Sequence, residues 1–511
     1  MKHEPIEIID DVLPLSREVG KGRIPTRGVR ARRPGTAIAR TSAVPCIAVL
    51  LFSAFAAAWF VSDAMGRWRN FQTNAYDLAF FDQIIWNTAH GRWFETSFVE
   101  YNFAGQHFEP VLLLFAIPYR FGAGPILLTV TEGVVAALAA VPLFFAAKRF
   151  GTGTAPAFAL SVAWLINPYT QRAVQFDFHP EVMVALPAFG AAWAIAARRY
   201  RLAMVFALCT LLLKEDAAFV ALALAGLLWV RSARREAFIL GTTTMLYLAV
   251  VVLVLMPMFR DGHSSDLVGR YGHLADGRDG SDAVRYTLLH HPWVVAQALV
   301  APGRLWTAAL FIVICAPFAV LRPWLLLGLF PGLCVALLTD HPPQQQLELH
   351  YSASVLPLAF IASMVALGEV HRLQWHGLPG ERFAAVFILV PALIGFALMS
   401  PLTPWRGGTP PPSDTHIGAL EAAIAHVPDG DSVAAQSAIL PRLSQREAAY
   451  EFPAAGSHSV PIDTTWVVVD RYGAVSSQSL AAGFDVRLGE VRASYERVFD
   501  RDGVEVFRRR E

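Results

Sequence analysis

Residues 202–230 read LAMVFALCTLLLKEDAAFVALALAGLLWV, and how this stretch meets a bilayer decides the fold. As one helix it would be long enough to cross, but Lys214-Glu215-Asp216 falls near its middle. A charge at the bilayer centre costs about 2.5–3.5 kcal/mol on insertion scales, so three adjacent charges argue against a plain crossing. A single crossing would also carry either Arg198–Arg201 or Arg231–Arg235 to the outer side, although Lys and Arg favour the cytoplasm. Two half-spans that turn outside at Lys214-Glu215-Asp216 keep both basic clusters inside, or the charges sit in a wet cavity.

The flanking sequence repeats the pattern of apolar blocks ending in basic turns. Residues 43–62 form a first, outgoing span. After an apolar stretch at 108–121, interrupted by Pro110 and Pro118 and read as re-entrant or interfacial, further spans follow at 124–147, 154–170, 180–197, 237–257, 302–321, 323–339, 352–368 and 383–400. With the hairpin, that makes about eleven transmembrane helices. Residues 1–42, rich in Arg, Pro and Gly, are expected to be a disordered basic tail in the cytoplasm. The transmembrane domain is 43–400, with outer loops at 63–123 and 258–301. The odd span count sends 401–511 outside as a small α/β domain, with a Pro-rich linker, a helix at 414–426 and strands at Thr465–Asp470 and Val504–Phe507. The expected fold class is thus mainly α, a polytopic plasma-membrane protein with an extracytoplasmic C-terminal α/β domain.

Composition supports the same class. The 511 residues are 55% hydrophobic and 16% charged, with a mean hydropathy of +0.43, whereas a soluble chain carries about 25% charged residues. This excludes a soluble enzyme, a coiled coil or a disordered chain. A net charge of +1 gives no basic surface for nucleic acid. Cys46, Cys209, Cys315 and Cys334 all lie in apolar segments and read as small core hydrophobes.

Polar residues gather at the expected outer ends of the spans. Asp77 and Asp82 share the stretch 74–90, whose apolar spacing suggests an amphipathic helix on the membrane surface. Five residues apart, they diverge by roughly 140° around a helix, and Asp77, nearest the first span, is the better catalytic candidate; Asp82 is the second candidate acid. Asp77 could instead be a first-turn acid favoured by the helix dipole. Asp177, His179 and Glu181 alternate before a span, so an extended loop would project them to one side; they could ligate a hard cation or cap the following helix. Lys214, with Glu215 and Asp216, suits a phosphate or an internal salt bridge. His107, His350 and Arg172 join the candidates for binding substrate or phosphate. Oxygen-rich surroundings favour Mg²⁺ or Mn²⁺ if an ion binds.

As a set, YDLAFFDQIIW (76–86), GQHFEP (105–110), DFHPE (177–181), KED (214–216), ELHY (348–351), SVAAQSAILPRLSQREAAYEFP (432–453) and TTWVVVD (464–470) resemble the bacterial and archaeal membrane proteins grouped as domain of unknown function 2079 (DUF2079). That family is similar to the C-type-fold (GT-C) glycosyltransferases, which use polyprenyl-phosphate sugars. The resemblance implies that Asp77, in the first outer loop, is the catalytic base or metal-site acid. No compact Asp-X-Asp pair occurs in that loop.

The leading expectation is an inverting glycosyltransferase of the outer face, with a polyprenyl-phosphate sugar donor and an envelope glycan or lipid acceptor. A transporter or flippase of a lipid-linked or anionic solute is the alternative, although no internal repeat of the transporter kind is evident. A non-catalytic envelope scaffold ranks third. No G-x-S-x-G or P-loop pattern appears.

Overall fold

The computed structural model of the chain describes residues 43–264, 269–274, 280–372, 380–403, 405, 410–453, 464–473 and 478–510. The basic segment 1–42 lies outside the described residues. Among the described residues, four helices are long and apolar enough to cross a bilayer: Ala43–Arg69, Pro125–Phe150, Arg234–Arg260 and Glu381–Met399. A fifth crossing results if Pro292–Leu299 and Pro302–Cys315, which meet at 61°, act as one bent span. Lipid-facing side chains explain the exposed apolar residues along these helices, such as Leu51 and Phe55, or Phe238, Leu246 and Leu253.

The other apolar stretches form shorter helices, including Pro180–Ala196, Tyr200–Thr210 and Leu356–His371. At 1.5 Å per residue an eleven-residue helix rises only about 16 Å, half of a typical hydrocarbon core of about 30 Å. The count of about eleven full crossings is therefore met only in part. The decisive stretch is broken as its charges demand: helices Tyr200–Thr210 and Ala218–Val230 touch each other and are separated by the Lys214–Asp216 turn.

The C-terminal segment forms one five-stranded mixed sheet. Its strands are β1 (Val433–Ala435), β2 (Ala449–Glu451), β3 (Trp466–Asp470), β4 (Tyr495–Arg501) and β5 (Val504–Arg509), in the order β2-β1-β3-β5-β4. β1 runs parallel to β2 and β3, while β5 is antiparallel to β3 and β4. The run WVVVD supplies the central strand, buried at all five positions, as expected for a strand covered on both faces. Helices Asp414–Ile424 and Gln478–Ser494 complete this α/β unit.

This domain packs directly on the stretch 75–89, and here the sequence reading is corrected. The stretch is helical, with a π turn at Ala75–Ala79 running into an α-helix at Phe80–Ala89. It does not lie free on a membrane surface, because eight of the ten residues in Phe80–Ala89 are buried. Asp82, the second candidate acid, is fully buried and accepts hydrogen bonds from Tyr119 (2.7 Å), Ser444 (2.7 Å) and Gln445 (3.1 Å). Its amphipathic spacing was real, but the polar face meets the tail rather than water. Gln83 likewise donates to the carbonyl of Arg446, and Ser97 to that of Ala449.

Burial pushes the Asp82 carboxyl from 3.8 up to about 6, against the three hydrogen bonds that hold it down. The folded state then binds the extra proton between about pH 4 and 6. Stability from this group consequently grows as pH falls through 6 and is lost as pH rises. Limited proteolysis of the tail is expected to be slower at pH 5 than at pH 7.5, and Asp82→Asn should remove that difference. An unchanged pH dependence in the variant would contradict this docking role.

Candidate functional site

A cavity of about 710 Å³ lies where the segment 76–109, the 176–181 loop, the 214–216 turn and the 270–271 and 341–355 segments meet. Asp77, His107, Glu109, His179, Glu181, Lys214, Glu215, Asp216 and His350 all line it. These groups are spread over nearly three hundred residues of sequence.

The Lys214-Glu215-Asp216 turn ties three other segments together. Lys214 Nζ donates to Glu181 Oε1 at 2.6 Å. Glu215 accepts from the backbone N–H of Phe108 (3.0 Å) and lies 2.8 Å from His107 Nδ1. Asp216 accepts from Ser354 Oγ at 3.1 Å. An internal salt bridge within the turn is therefore not its arrangement. Burial opposes the charge on Lys214, but Glu181, Asp216, Glu109 and Glu215 outweigh it and raise its pKa.

Asp77 sits on the π turn, partly open to the cavity, with Oδ1 3.4 Å from His179 Nε2. The His179 ring stacks on that of His350 at 3.6 Å between centroids and on Phe176 at 5.5 Å. Glu132, buried within helix Pro125–Leu138, accepts the backbone N–H of His179 at 2.8 Å. Burial, with His179 and Lys214 nearby, holds the His350 pKa well below its ordinary value, so this ring is neutral at pH 7. His107 is shifted the same way, chiefly by burial.

Three predicted groups stand elsewhere. Asp177 does not project with His179 and Glu181, which both line the cavity, because it takes a left-handed φ of 60° that breaks the strand alternation. Its carboxylate pairs with Arg67 and accepts the backbone N–H of Asn74 at 2.7 Å. Burial raises this carboxyl to about 6 even with Arg67 opposing it. Among the described residues, no group of three or more His, Cys, Asp or Glu is arranged to hold a metal ion; the set Asp177, His179 and Glu181 is divided among separate partners. Arg172 is outside the cavity lining and pairs with Glu348 at 3.0 Å while donating to the carbonyl of Met399. Asp82 belongs to the tail contact described above.

Other residues of the site escaped the sequence reading. Asp177 and Arg67 pin the start of the Asp77 turn through Asn74, and Ser437 Oγ of the tail accepts the N–H of Ala75 at 3.0 Å. Glu132 carried a signal, as a lone acid inside an apolar span. Arg270 lines the cavity, and its Nη1 donates to Gln344 Oε1 (3.0 Å) and the Tyr351 hydroxyl (3.3 Å). Among the described residues no carboxylate pairs with it, unlike Lys214. Gly105 has no room for a side chain, because a Cβ there would lie 2.8 Å from the backbone N of Arg260. The absent side chain lets the loop seat against the end of helix Arg234–Arg260.

A second, apolar groove of about 330 Å³ runs between helix Ala218–Val230 and the segments 324–331 and 358–362. Phe219 lines both groove and cavity. A Cβ added at Gly226 in the groove would meet nothing within 4 Å.

Three comparisons place these observations among known proteins. A family described as "Predicted membrane protein (DUF2079)" matches residues 67–506. No curated protein sequence matches the chain. Among solved structures, the chain is similar to the Archaeoglobus fulgidus oligosaccharyltransferase, in a crystal structure of its complex with Zn and sulfate. The identity is 15% and the TM-score 0.41, over 90% of this chain and 73% of that one.

Proposed function

The chain belongs to the DUF2079 family of predicted membrane proteins, and from that premise we propose that it is an inverting glycosyltransferase that takes sugar from a polyprenyl phosphate. Its acceptor is an envelope glycan or lipid, and its site opens on the extracytoplasmic side of the plasma membrane. The observation that carries this reading is the pairing of a polar cavity with an apolar groove at Phe219. A ligand with a charged head and a long hydrocarbon tail would suit that pair.

In the proposed step the acceptor oxygen attacks the anomeric carbon and the bond to the phosphate oxygen breaks. The phosphate leaves with the electron pair as polyprenyl phosphate, and the acceptor proton passes to Asp77, the general base. His179, beside Asp77, steadies the carboxylate. Lys214 and the cavity's Arg270 stabilise the leaving phosphate in a site shielded from water. His107, Glu215 and Asp216 hold the Lys214 turn, and His350 braces His179 by stacking. Arg270 has this part rather than Arg172, because Arg172 lies outside the lining. Asp177, His179 and Glu181, the residues expected to hold Mg²⁺ or Mn²⁺, each engage a different partner, and the step above runs without a metal ion.

Filling the groove tests the reading. Gly226→Phe projects a ring into the apolar track and leaves the cavity side chains in place. Photo-crosslinking with a diazirine-bearing polyprenyl phosphate is expected to label the wild type and to fall at least about tenfold in the variant. Equal labelling of the two proteins would overturn the assignment of a lipid-linked donor.

A further inference from the structure

The cavity holds more acid than its bases neutralise. Asp77, Glu109, Glu181, Glu215 and Asp216 line it against Lys214 and Arg270. Glu181 is engaged by Lys214, Glu215 by His107 and Phe108, and Asp216 by Ser354. Glu109 differs: it is 2% exposed, and both of its carboxylate oxygens are buried without a hydrogen-bond partner. Gln106 Oε1 and Glu181 Oε2, also from cavity-lining residues, are buried and unpartnered as well.

Buried acceptors left unpaired are costly, and a buried carboxylate more so. Neutral sugar hydroxyls would supply donors but leave the excess negative charge uncompensated. A primary ammonium supplies three donors and one positive charge. Glu109 offers one unpartnered carboxylate, which an ammonium can satisfy alone, whereas Mg²⁺ or Ca²⁺ takes six or more oxygen ligands. We infer that the sugar bound in this cavity is an amino sugar whose protonated amine is held by Glu109. Burial and the nearby Glu181 push the Glu109 carboxyl well above its ordinary range, a shift that an incoming cation reverses.

The inference rests on reading the cavity as a sugar site, but its test needs no turnover. Purified full-length protein in detergent is titrated with glucosamine, N-acetylglucosamine, glucose and, separately, magnesium chloride. Thermal unfolding and calorimetry are the readouts. Glucosamine is expected to bind at least about tenfold tighter than glucose or N-acetylglucosamine, magnesium alone to give no comparable shift, and Glu109→Gln to lose the preference. No binding of glucosamine, equal binding of the sugars, an equal shift from magnesium, or unchanged selectivity in Glu109→Gln would each overturn it. If Glu109→Gln does not fold, the comparison with N-acetylglucosamine on the wild type decides, because acetylation removes the charge and keeps the ring. Sugar transfer without amine preference would refute this inference and leave the glycosyltransferase reading standing.

Discussion

Asp77→Asn is expected to lower sugar transfer by about 10²–10⁴-fold, the range that a positioned general base contributes. The amide is nearly isosteric and can keep the contact with His179, but it takes up no proton as the acceptor oxygen attacks. Expression in a deletion strain, followed by mass spectrometry of envelope glycans, should show the product restored by the wild-type chain and missing with the variant at equal membrane abundance. Full restoration by Asp77→Asn would remove Asp77 from the chemistry. The turn that carries it is held by Arg67 with Asp177 on one side and by Ser437 on the other, so the variant should keep its shape.

Lys214→Met is expected to destabilise the protein by about 3–5 kcal/mol, the usual cost of removing one partner from a buried ion pair. Its side chain is 12% exposed and that of Glu181 only 3%. Without the ammonium, Glu181 is left charged in a cavity already lined by Glu109, Glu215 and Asp216. Thermal unfolding in detergent, followed by tryptophan fluorescence, checks this. The double variant Lys214→Met with Glu181→Met should recover part of the loss, because it removes the orphaned Glu181 carboxylate while Glu109, Glu215 and Asp216 stay in the lining. A single variant within about 1 kcal/mol of wild type would mean that the pair contributes little.

Much of this architecture was legible because the relevant signals are local. Three charges in an apolar run predict a break, and the chain breaks there, between Thr210 and Ala218. The run WVVVD has the length and β-branched content of a central strand and forms one. Residues of 74–90, 105–110, 177–181, 214–216 and 348–351 line one cavity, in keeping with the gathering of acids and histidines at the expected outer ends of the spans.

Other features have no local signature. Asp177 adopts a left-handed φ without being glycine, held there by partners from distant segments, so its alternation with His179 and Glu181 misled. Strands β1 and β2 are three residues each, too short to show a period. That the polar face of helix Phe80–Ala89 would meet Ser444 and Gln445 rather than water depends on contacts more than 350 residues away in sequence. Arg270 and Arg172 look equivalent in the sequence. Only the position of Glu348 beside one of them separates a neutralised, half-buried pair from a cavity cation.

The account is tested most directly with purified protein, a synthetic polyprenyl-phosphate sugar and an envelope lipid or glycan extract, with mass spectrometry following both products. It predicts one free polyprenyl phosphate for each sugar gained by an acceptor, inversion at the anomeric carbon, and neither product with Asp77→Asn. A donor that stays intact while the reconstituted protein carries it from one leaflet to the other would contradict the account and establish a transporter.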